Sequence, residues 1–527
     1  MERLTLFLLG ALLLSTSGFA QDSETIELRW SRGYKNSEIQ LDYVTSLDSA
    51  SFMTYGSTSR SLLSNAKYYY SRYDRLSMEL IWQVEETINK YRDAPITFNS
   101  MVNYGQITYV FYQAYSKAND VRFVLLRTID AEGNISDFIE LDRITAKNAY
   151  TGGFKVSWNS SATSFAVVSF PEEDPKKEVQ VEVKRFDLEG NRLGGASVTL
   201  DYASLNVGIL DLDYAINGDV YILAVRRPER TENEKRVFFA PNQEFFILHA
   251  NPNDEVFQEV DLELKDKFVV GGIGVEADQI PGKIAISGMY SDKRYGSTSG
   301  MFYMTLDQIT IEPLTSDFMN LREFDYINDG RKDGSARARR KGVANESYVF
   351  RGMVPREGGG SLVLMEDYDM VVRTTQNGDR TVTTFYDYYY DNIWAMMVDA
   401  QGEIERVSVI PKQQFSVNDG GVNSGFLLVR DRENFKFLFN DTPGNDQRWA
   451  KNQAPMSMAA SQKANLVQVT LKPDGSLVYT PLIENRKEMA ILMPRRGRSY
   501  LGSPGEAVIP GSKRGKWVFM SLRPERN

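Results

Sequence analysis

The sequence predicts an all-β chain, folded as a β-propeller of about seven four-stranded blades, with six or eight also compatible. Three observations carry this. One hairpin phrase recurs along the chain. Further pairs of short alternating strands lie between the copies. The composition is rich in Tyr, Phe and Gly, with 28 Tyr, 28 Phe and 39 Gly, which suits strands and tight turns better than helices. A supersecondary unit repeated at a period of tens of residues means a repeat architecture, and an all-β unit points to a propeller.

The phrase is an alternating apolar strand, a turn of the form Asp-x-x-Gly-x, and a second strand. It occurs at Phe123–Leu141, Val179–Leu200 and Ile393–Ile410, and at Leu466–Ile483 with the turn written Lys-Pro-Asp-Gly. Weaker copies lie at Met78–Ile88, Phe245–Leu264 and Met301–Leu314. Strand pairs with a polar turn stand before or between them, at Val102–Tyr115, Ser157–Phe170, Leu212–Val225 and Ala277–Tyr290. Four antiparallel strands joined in sequence make one blade. The turn markers Glu85, Gly133, Gly190, Asp254, Gln308, Gly402 and Gly475 are spaced more widely than the roughly 40–50 residues of WD40 or kelch repeats, so the connections must be long.

The widest gap holds two insertions. One, near 316–344, contains the basic stretch Asn328–Gly342; the other, Arg373–Asp391, has the pattern of an extended hairpin with an Asn-Gly turn at Asn377–Gly378. Beyond Ile483, the strands Met489–Met493 and Lys516–Leu522 could join Thr25–Trp30 to complete a blade. That would close the ring and hide both sheet edges. The expected organisation is a signal peptide at 1–20 and a single propeller domain at 21–527. Two packed β domains divided near Ser316–Ala344 are the alternative. The segment Leu76–Tyr91 is the best helix candidate, and its Trp82, Val84 and Ile88 fit a strand pair nearly as well.

Residues Leu6–Leu14 form a short apolar core, followed by small residues ending at Ala20, where cleavage is expected. The core falls short of the roughly 20 apolar residues that span a bilayer, so no transmembrane segment is expected after cleavage. The chain contains no cysteine, which excludes disulfides, thiol catalysis and a lipid-modified N-terminal cysteine. Its net charge of −9 argues against general nucleic-acid binding.

The segment Tyr386–Gln414 combines a Tyr-rich tract (Tyr386–Tyr390), an alternating strand (Ile393–Val398), an Asp-x-x-Gly-x turn (Asp399–Glu403) and a terminal Ile-Pro-Lys (Ile410–Lys412). In this it resembles a group of uncharacterised exported proteins from Bacteroidetes-type bacteria. The resemblance implies export and a propeller-like fold, with the periplasm favoured over the cell surface. It implies no catalytic residues.

Candidate chemistry is sparse. His249 is the only histidine, so any His-based site must use it, and its turn-region position reads as surface. Multi-histidine metal sites are excluded. Asp211, Asp213, Asn217 and Asp219 have some of the oxygen spacing of a calcium loop, but Ala215 breaks the run. Phe439–Trp449, with Asp441, Asn445 and Asp446, is a similar weak pattern, and no metal or cofactor is expected. Ser512–Trp517 echoes a sialidase motif without its Asp, and no Trp-docking repeat of a quinone-dependent dehydrogenase is visible.

Two features suit contact with another molecule. Tyr386, Tyr388, Tyr389 and Tyr390 form an aromatic tract beside Asp387 and Asp391, suited to a sugar or peptide. Arg337, Arg339 and Arg340 belong to the sharpest basic run and could meet an acidic partner. The expected role is non-enzymatic: a cell-envelope propeller binding an envelope protein or a glycan through its ring-face loops. The alternative is a polysaccharide hydrolase or lyase using carboxylates near the central channel.

Overall fold

The computed structural model describes residues 26–524, apart from 35–38, 47–49, 59–66, 87–89, 149–150, 160, 171–177, 204–205, 228–242, 294–297, 321–347, 378–380, 452 and 500–503. The expected signal peptide and the arginines 337, 339 and 340 lie outside these residues.

Short antiparallel strands dominate, and they assemble into eight sheets. Sheet 1 takes Ile39–Ser46, Ser51–Thr58, Tyr68–Asp74 and Leu80–Glu86, in that spatial order. Sheets 2 to 7 repeat the same meander, starting from Ala94–Tyr104, Gly153–Trp158, Val207–Tyr214, Phe268–Ala277, Tyr348–Pro355 and Leu427–Asp431. Sheet 8 differs. Its inner strand is split into Ala490–Leu492 and Arg498–Ser499, followed by Ala507–Lys513 and Lys516–Pro524. Its outermost strand is Ile26–Trp30, from the other end of the chain, which pairs with Lys516–Pro524 in the register Ile26↔Pro524 to Trp30↔Met520.

The hydrophobic cores follow the same cycle. Eight clusters of buried side chains each join one sheet to the next. Tyr70 and Tyr112 belong to the cluster between sheets 1 and 2, and Phe111 and Phe165 to that between 2 and 3. Val168 and Ile222 bridge sheets 3 and 4, then Tyr221 and Ile286 bridge 4 and 5. Tyr303 and Met365 join 5 to 6, Leu364 and Phe437 join 6 to 7, and Leu438 and Met520 join 7 to 8. Phe519 of sheet 8 then packs on Phe52 and Tyr73 of sheet 1, with ring centroids 5.0 and 4.7 Å apart. A cycle of face-to-face sheets that returns to its start is a propeller ring. The packing is continuous across 321–347, since sheets 5 and 6 share one cluster.

Six of the seven expected hairpins are the third and fourth strands of sheets 2 to 7; the weak copy Met78–Ile88 is only the fourth strand of sheet 1, whose hairpin partner is Tyr68–Asp74. Sheet 8, assembled from both ends of the chain, is the addition. In the strong copies the Asp side chain takes the following backbone N–H groups and Gly supplies a positive φ. Asp399 Oδ1 accepts from Gln401, Gly402 and Glu403 at 2.9 Å each, and Gly402 has φ 94°. The weak copies lack this Gly. In sheet 1 the turn lies at Asp74–Met78, upstream of the expected Glu85, with Met78 at φ 56°. Leu80–Glu86 is accordingly a strand, and the helical alternative over Leu76–Tyr91 is not realised.

Most middle strands are buried on both faces, Glu178–Asp187 of sheet 3 being an alternating exception, whereas the inner strands are partly exposed. The inner strand Val207–Tyr214 reads mostly half-buried, while its neighbour Val220–Arg226 is almost wholly buried. The inner strands therefore surround the ring axis.

Removing the ring of Phe519 opens a cavity at the seam where the ends of the chain meet. Phe519→Ala is expected to destabilise the protein by about 3–5 kcal/mol. Leu314→Ala, on an exposed outer strand, should change stability by no more than about 0.5 kcal/mol. Urea unfolding of the two variants checks the contrast.

Candidate functional site

Strand direction gives the ring two unlike faces. First strands run from one face to the other, so first-to-second and third-to-fourth connections emerge together, on what can be named the turn face. No connection there is longer than that between Ile129 and Ile139. Second-to-third connections and the links between sheets emerge on the opposite loop face. Among them are 442–464, with a short helix at Asn445–Ala450, and 411–426. The strand ends Arg226, Glu244, Asn320 and Tyr348 also lie on this face.

The most prominent described feature of the loop face is the expected hairpin at Arg373–Asp391. The second and third strands of sheet 6 are Ser361–Asn377 and Thr381–Val398, and they stay paired from Ser361↔Val398 to Asn377↔Thr381. Their outer halves run beyond the described part of the inner strand, whose first described pair is Tyr348↔Asp367. A short strand, Gln414–Val417, pairs with Asp387–Tyr390 to make a three-stranded ribbon.

Residues directly opposite in an antiparallel pair share a face. One ribbon face carries Met370 opposite Tyr388 and Val372 opposite Tyr386, with Val382 farther out. Met370, Val372, Val382 and Tyr386 are 45, 51, 64 and 43 % exposed. The other face carries Tyr389, whose ring lies 5.0 Å from that of Phe415, and an ion pair of Arg373 with the buried Asp387. The Tyr tract is thus divided by the pleat. Tyr386 and Tyr388 share one side and Tyr389 takes the other.

Tyr390 does not present itself for contact, contrary to the sequence-based expectation. It is buried at the ribbon's base, its ring 4.8 Å from that of Tyr368, with the Arg495 guanidinium over it and donating to its hydroxyl. The cause lies beside it in the Ile-Pro-Lys segment. Lys412 is fully buried and its Nζ donates to Glu366 Oε1 at 2.8 Å, the Tyr390 carbonyl at 2.9 Å and Gln414 Oε1 at 3.2 Å. Three donors meet three acceptors. Arg351 satisfies the other oxygen of Glu366 at 2.8 and 2.5 Å. Gln414 donates to the Asn440 carbonyl at 2.8 Å, and Asn440 donates to the Leu492 carbonyl at 2.8 Å. This buried chain ties the ribbon to sheets 7 and 8. The resemblance marked Lys412, but no local pattern revealed that its charge is internal.

A second group of polar residues faces the ring axis. Asp211 and Asp213 on the inner strand of sheet 4 accept the backbone N–H of Val275 at 3.2 Å and of Ala277 at 2.5 Å on the inner strand of sheet 5. Glu276 accepts from Met353 on the inner strand of sheet 6. Burial, then the charges of Asp213 and Asp211, push the Glu276 carboxyl up to about 8. Burial likewise pushes Asp213 up to about 6. These carboxylates stitch one inner strand to the next.

The remaining candidates are structural. His249 is buried rather than on the surface, because it lies on the third strand of sheet 4. It stacks on Tyr221 with centroids 5.0 Å apart, and its Nε2 is 3.3 Å from Asp219. Asp441 is buried, is pushed up to about 6 by desolvation, and accepts from Asn445 and Tyr479. No group of three or more acidic or histidine side chains among the described residues could hold a metal ion. No helix among them is long and apolar enough to cross a membrane. An open groove between the outer strands of sheets 7 and 8 is lined by Leu28, Trp30, Leu482, Asp446 and Glu488, with a volume of about 530 Å³.

No protein-family model matches the chain, and no curated protein matches it. Among solved structures, the β-propeller domain of the Trilobed protease from Pyrococcus furiosus aligns over 84% of this chain and 95% of its own, at 9% identity and a TM-score of 0.37. An acylaminoacyl peptidase from Pyrococcus horikoshii aligns over 92% of this chain and 59% of its own, at 9% identity and a TM-score of 0.35. A cobalt-substituted apocarotenoid oxygenase from Synechocystis aligns over 93% and 90%, at 8% identity and a TM-score of 0.35. The fold assignment rests on the sheet order and the ring of cores.

Lys412→Met leaves Glu366 with Arg351 alone and is expected to cost about 3 kcal/mol, the low end for a broken buried pair. Lys472→Met, at an exposed turn, should cost less than about 0.5 kcal/mol. Denaturant midpoints of both variants give the comparison. The Glu276 carboxyl is raised in the folded state, so the fold favours its protonated form. Stability from this group is present below the unfolded value of 4.5 and is lost as pH rises through about 8. Wild type should therefore lose stability between about pH 5 and 8 relative to Glu276→Gln. Parallel pH profiles of the two proteins would contradict this.

Proposed function

We propose that this chain is a non-enzymatic binding scaffold of the cell envelope, which grips a protein partner through the loop face of its ring. The observation that carries the reading is the ribbon of sheet 6. Met370, Val372, Val382 and Tyr386 stand out together on one side of it, beyond the ring. Clustered exposed apolar side chains mark interaction surfaces, whereas scattered ones need no explanation. Aliphatic groups beside an amphipathic Tyr suit a protein surface better than a sugar ring. Arg337, Arg339 and Arg340, outside the described residues, would add an electropositive contribution from sequence alone.

The carboxylates around the axis offer less support for polysaccharide cleavage. Asp211, Asp213 and Glu276 each accept a backbone N–H from the next sheet, so their positions are explained by ring assembly. The leader-like residues 1–20 support export to the envelope, and the resemblance of Tyr386–Gln414 leans toward the periplasm.

The test is capture of envelope proteins from native membranes and periplasm by wild type and by Val372→Lys/Tyr386→Lys, both at exposed positions. A discrete partner retained by wild type and reduced at least about tenfold by the double variant is the expected outcome; tenfold corresponds to about 1.4 kcal/mol. Equal retention by both proteins would sink the assignment of the ribbon as the contact.

A further inference from the structure

The ribbon of sheet 6 has an edge as well as two faces. From Tyr368 to Asn377 its first strand pairs only with Thr381–Tyr390 among the described residues; the described inner strand begins at Tyr348, opposite Asp367. The other side of that strand presents a row of backbone donors and acceptors. Such an edge is a template for another strand unless it is blunted. Short length, Pro and bulges are usual ways of blunting. This stretch is ten residues long with no Pro, and its pairing with the neighbouring strand runs without a register shift beyond Tyr368.

We propose that this edge pairs with the same edge of a second copy, antiparallel and centred on Val371, making a two-fold symmetric dimer. The sequence of the edge selects the partner. With Val371 opposite the Val371 of a second copy, Asp369 falls opposite Arg373 and Met370 opposite Val372, twice each by symmetry. Opposite charges meet across the strands on one face, and apolar side chains meet on the other. A register centred on Val372 sets Asp369 opposite Thr375 and Arg373 opposite Val371, losing both charge pairs. One centred on Met370 sets Asp369 opposite Val371 and Arg373 opposite Asp367, which is already paired with Tyr348, so the Asp369–Arg373 pairs are lost again. Arg373 is held by Asp387 yet stays half exposed, so its guanidinium can serve a second carboxylate. The paired ribbons form a continuous six-stranded sheet that doubles the apolar face carrying Met370, Val372 and Tyr386. This inference does not depend on the envelope partner, because it concerns the purified chain alone.

The absence of cysteine makes the test direct. Directly opposed residues in an antiparallel pair have Cα atoms about 4.5–5.5 Å apart, inside the range of about 4.4–6.8 Å that a disulfide spans. In this register residue 375 and its symmetry mate are eight positions apart, roughly 27 Å at the strand rise. Val371→Cys and Thr375→Cys, both at exposed positions, would be oxidised mildly and run on non-reducing gels, with light scattering of wild type alongside. The expected result is a dimeric wild type and a covalent dimer from Val371→Cys at least about ten times more abundant than from Thr375→Cys, far beyond what a weak random encounter gives. A monomeric wild type, which is the outcome if another segment of the same chain covers the edge, would overturn the proposal. So would equal cross-linking at both positions, or none at residue 371.

Discussion

Everything in this molecule depends on the pairing of Ile26–Trp30 with Lys516–Pro524. A meander of sheets stacked face to face always leaves two unpacked faces, one on the first sheet and one on the last. Here the last sheet takes its outer strand from the beginning of the chain and then packs on the first. The seam is built from aromatic rings: Phe519, Phe52, Tyr73 and Tyr34 contact one another across it. An ion pair of Arg75 with Glu506 at 3.0 Å and a bond from Arg523 to the Arg75 carbonyl at 2.9 Å brace the turn face of the same seam. Once the ring is closed, most middle strands are covered on both sides, which is why strands such as Val220–Arg226 and Lys283–Ser291 are nearly continuous apolar runs.

Closure also explains why the faces differ. The turn face is held by hairpins whose geometry the Asp and Gly residues fix, so little length variation fits there. The loop face carries connections between elements already held in place, and loop length costs little in entropy. The ribbon of sheet 6 exploits that freedom. It is kept rigid by an internal charge network rather than by its own pairing alone. Lys412 and Glu366 are buried with every charged atom matched, a geometry in which desolvation is offset only when partners are complete. The function proposed for the ribbon therefore rests on a device at its base that never touches solvent.

Much of the fold was legible because its punctuation is chemical. Asp130, Asp187 and Asp399, each with a Gly three residues later, announce a turn in which a carboxylate caps backbone N–H groups and the Gly adopts positive φ. Where the structure instead puts Met78 or Ile311, four residues after Asp74 or Asp307, in the left-handed region, the signal fades, because those residues do not advertise the conformation. The eighth sheet left only fragments in the sequence, since its inner strand is interrupted at Pro494–Arg496 and its outer strand lies some 490 positions away. The Tyr tract was visible as composition, but its division between two faces follows from pairing partners distant in sequence. His249 looked like a surface residue because its neighbours Asn251 and Asn253 are polar; its burial comes from Tyr221 on the adjacent strand.

The central claim is that the termini close the ring and that the platform's rigidity follows. Hydrogen–deuterium exchange of the protein with and without residues 26–30 tests it most directly. The account predicts that removing this strand releases protection in Lys516–Pro524 and spreads loss into sheets 7 and 1, while sheets 3 to 5 change least. Unchanged protection at Lys516–Pro524, or loss no greater there than in sheet 4, would contradict closure as the constraint on which the structure depends.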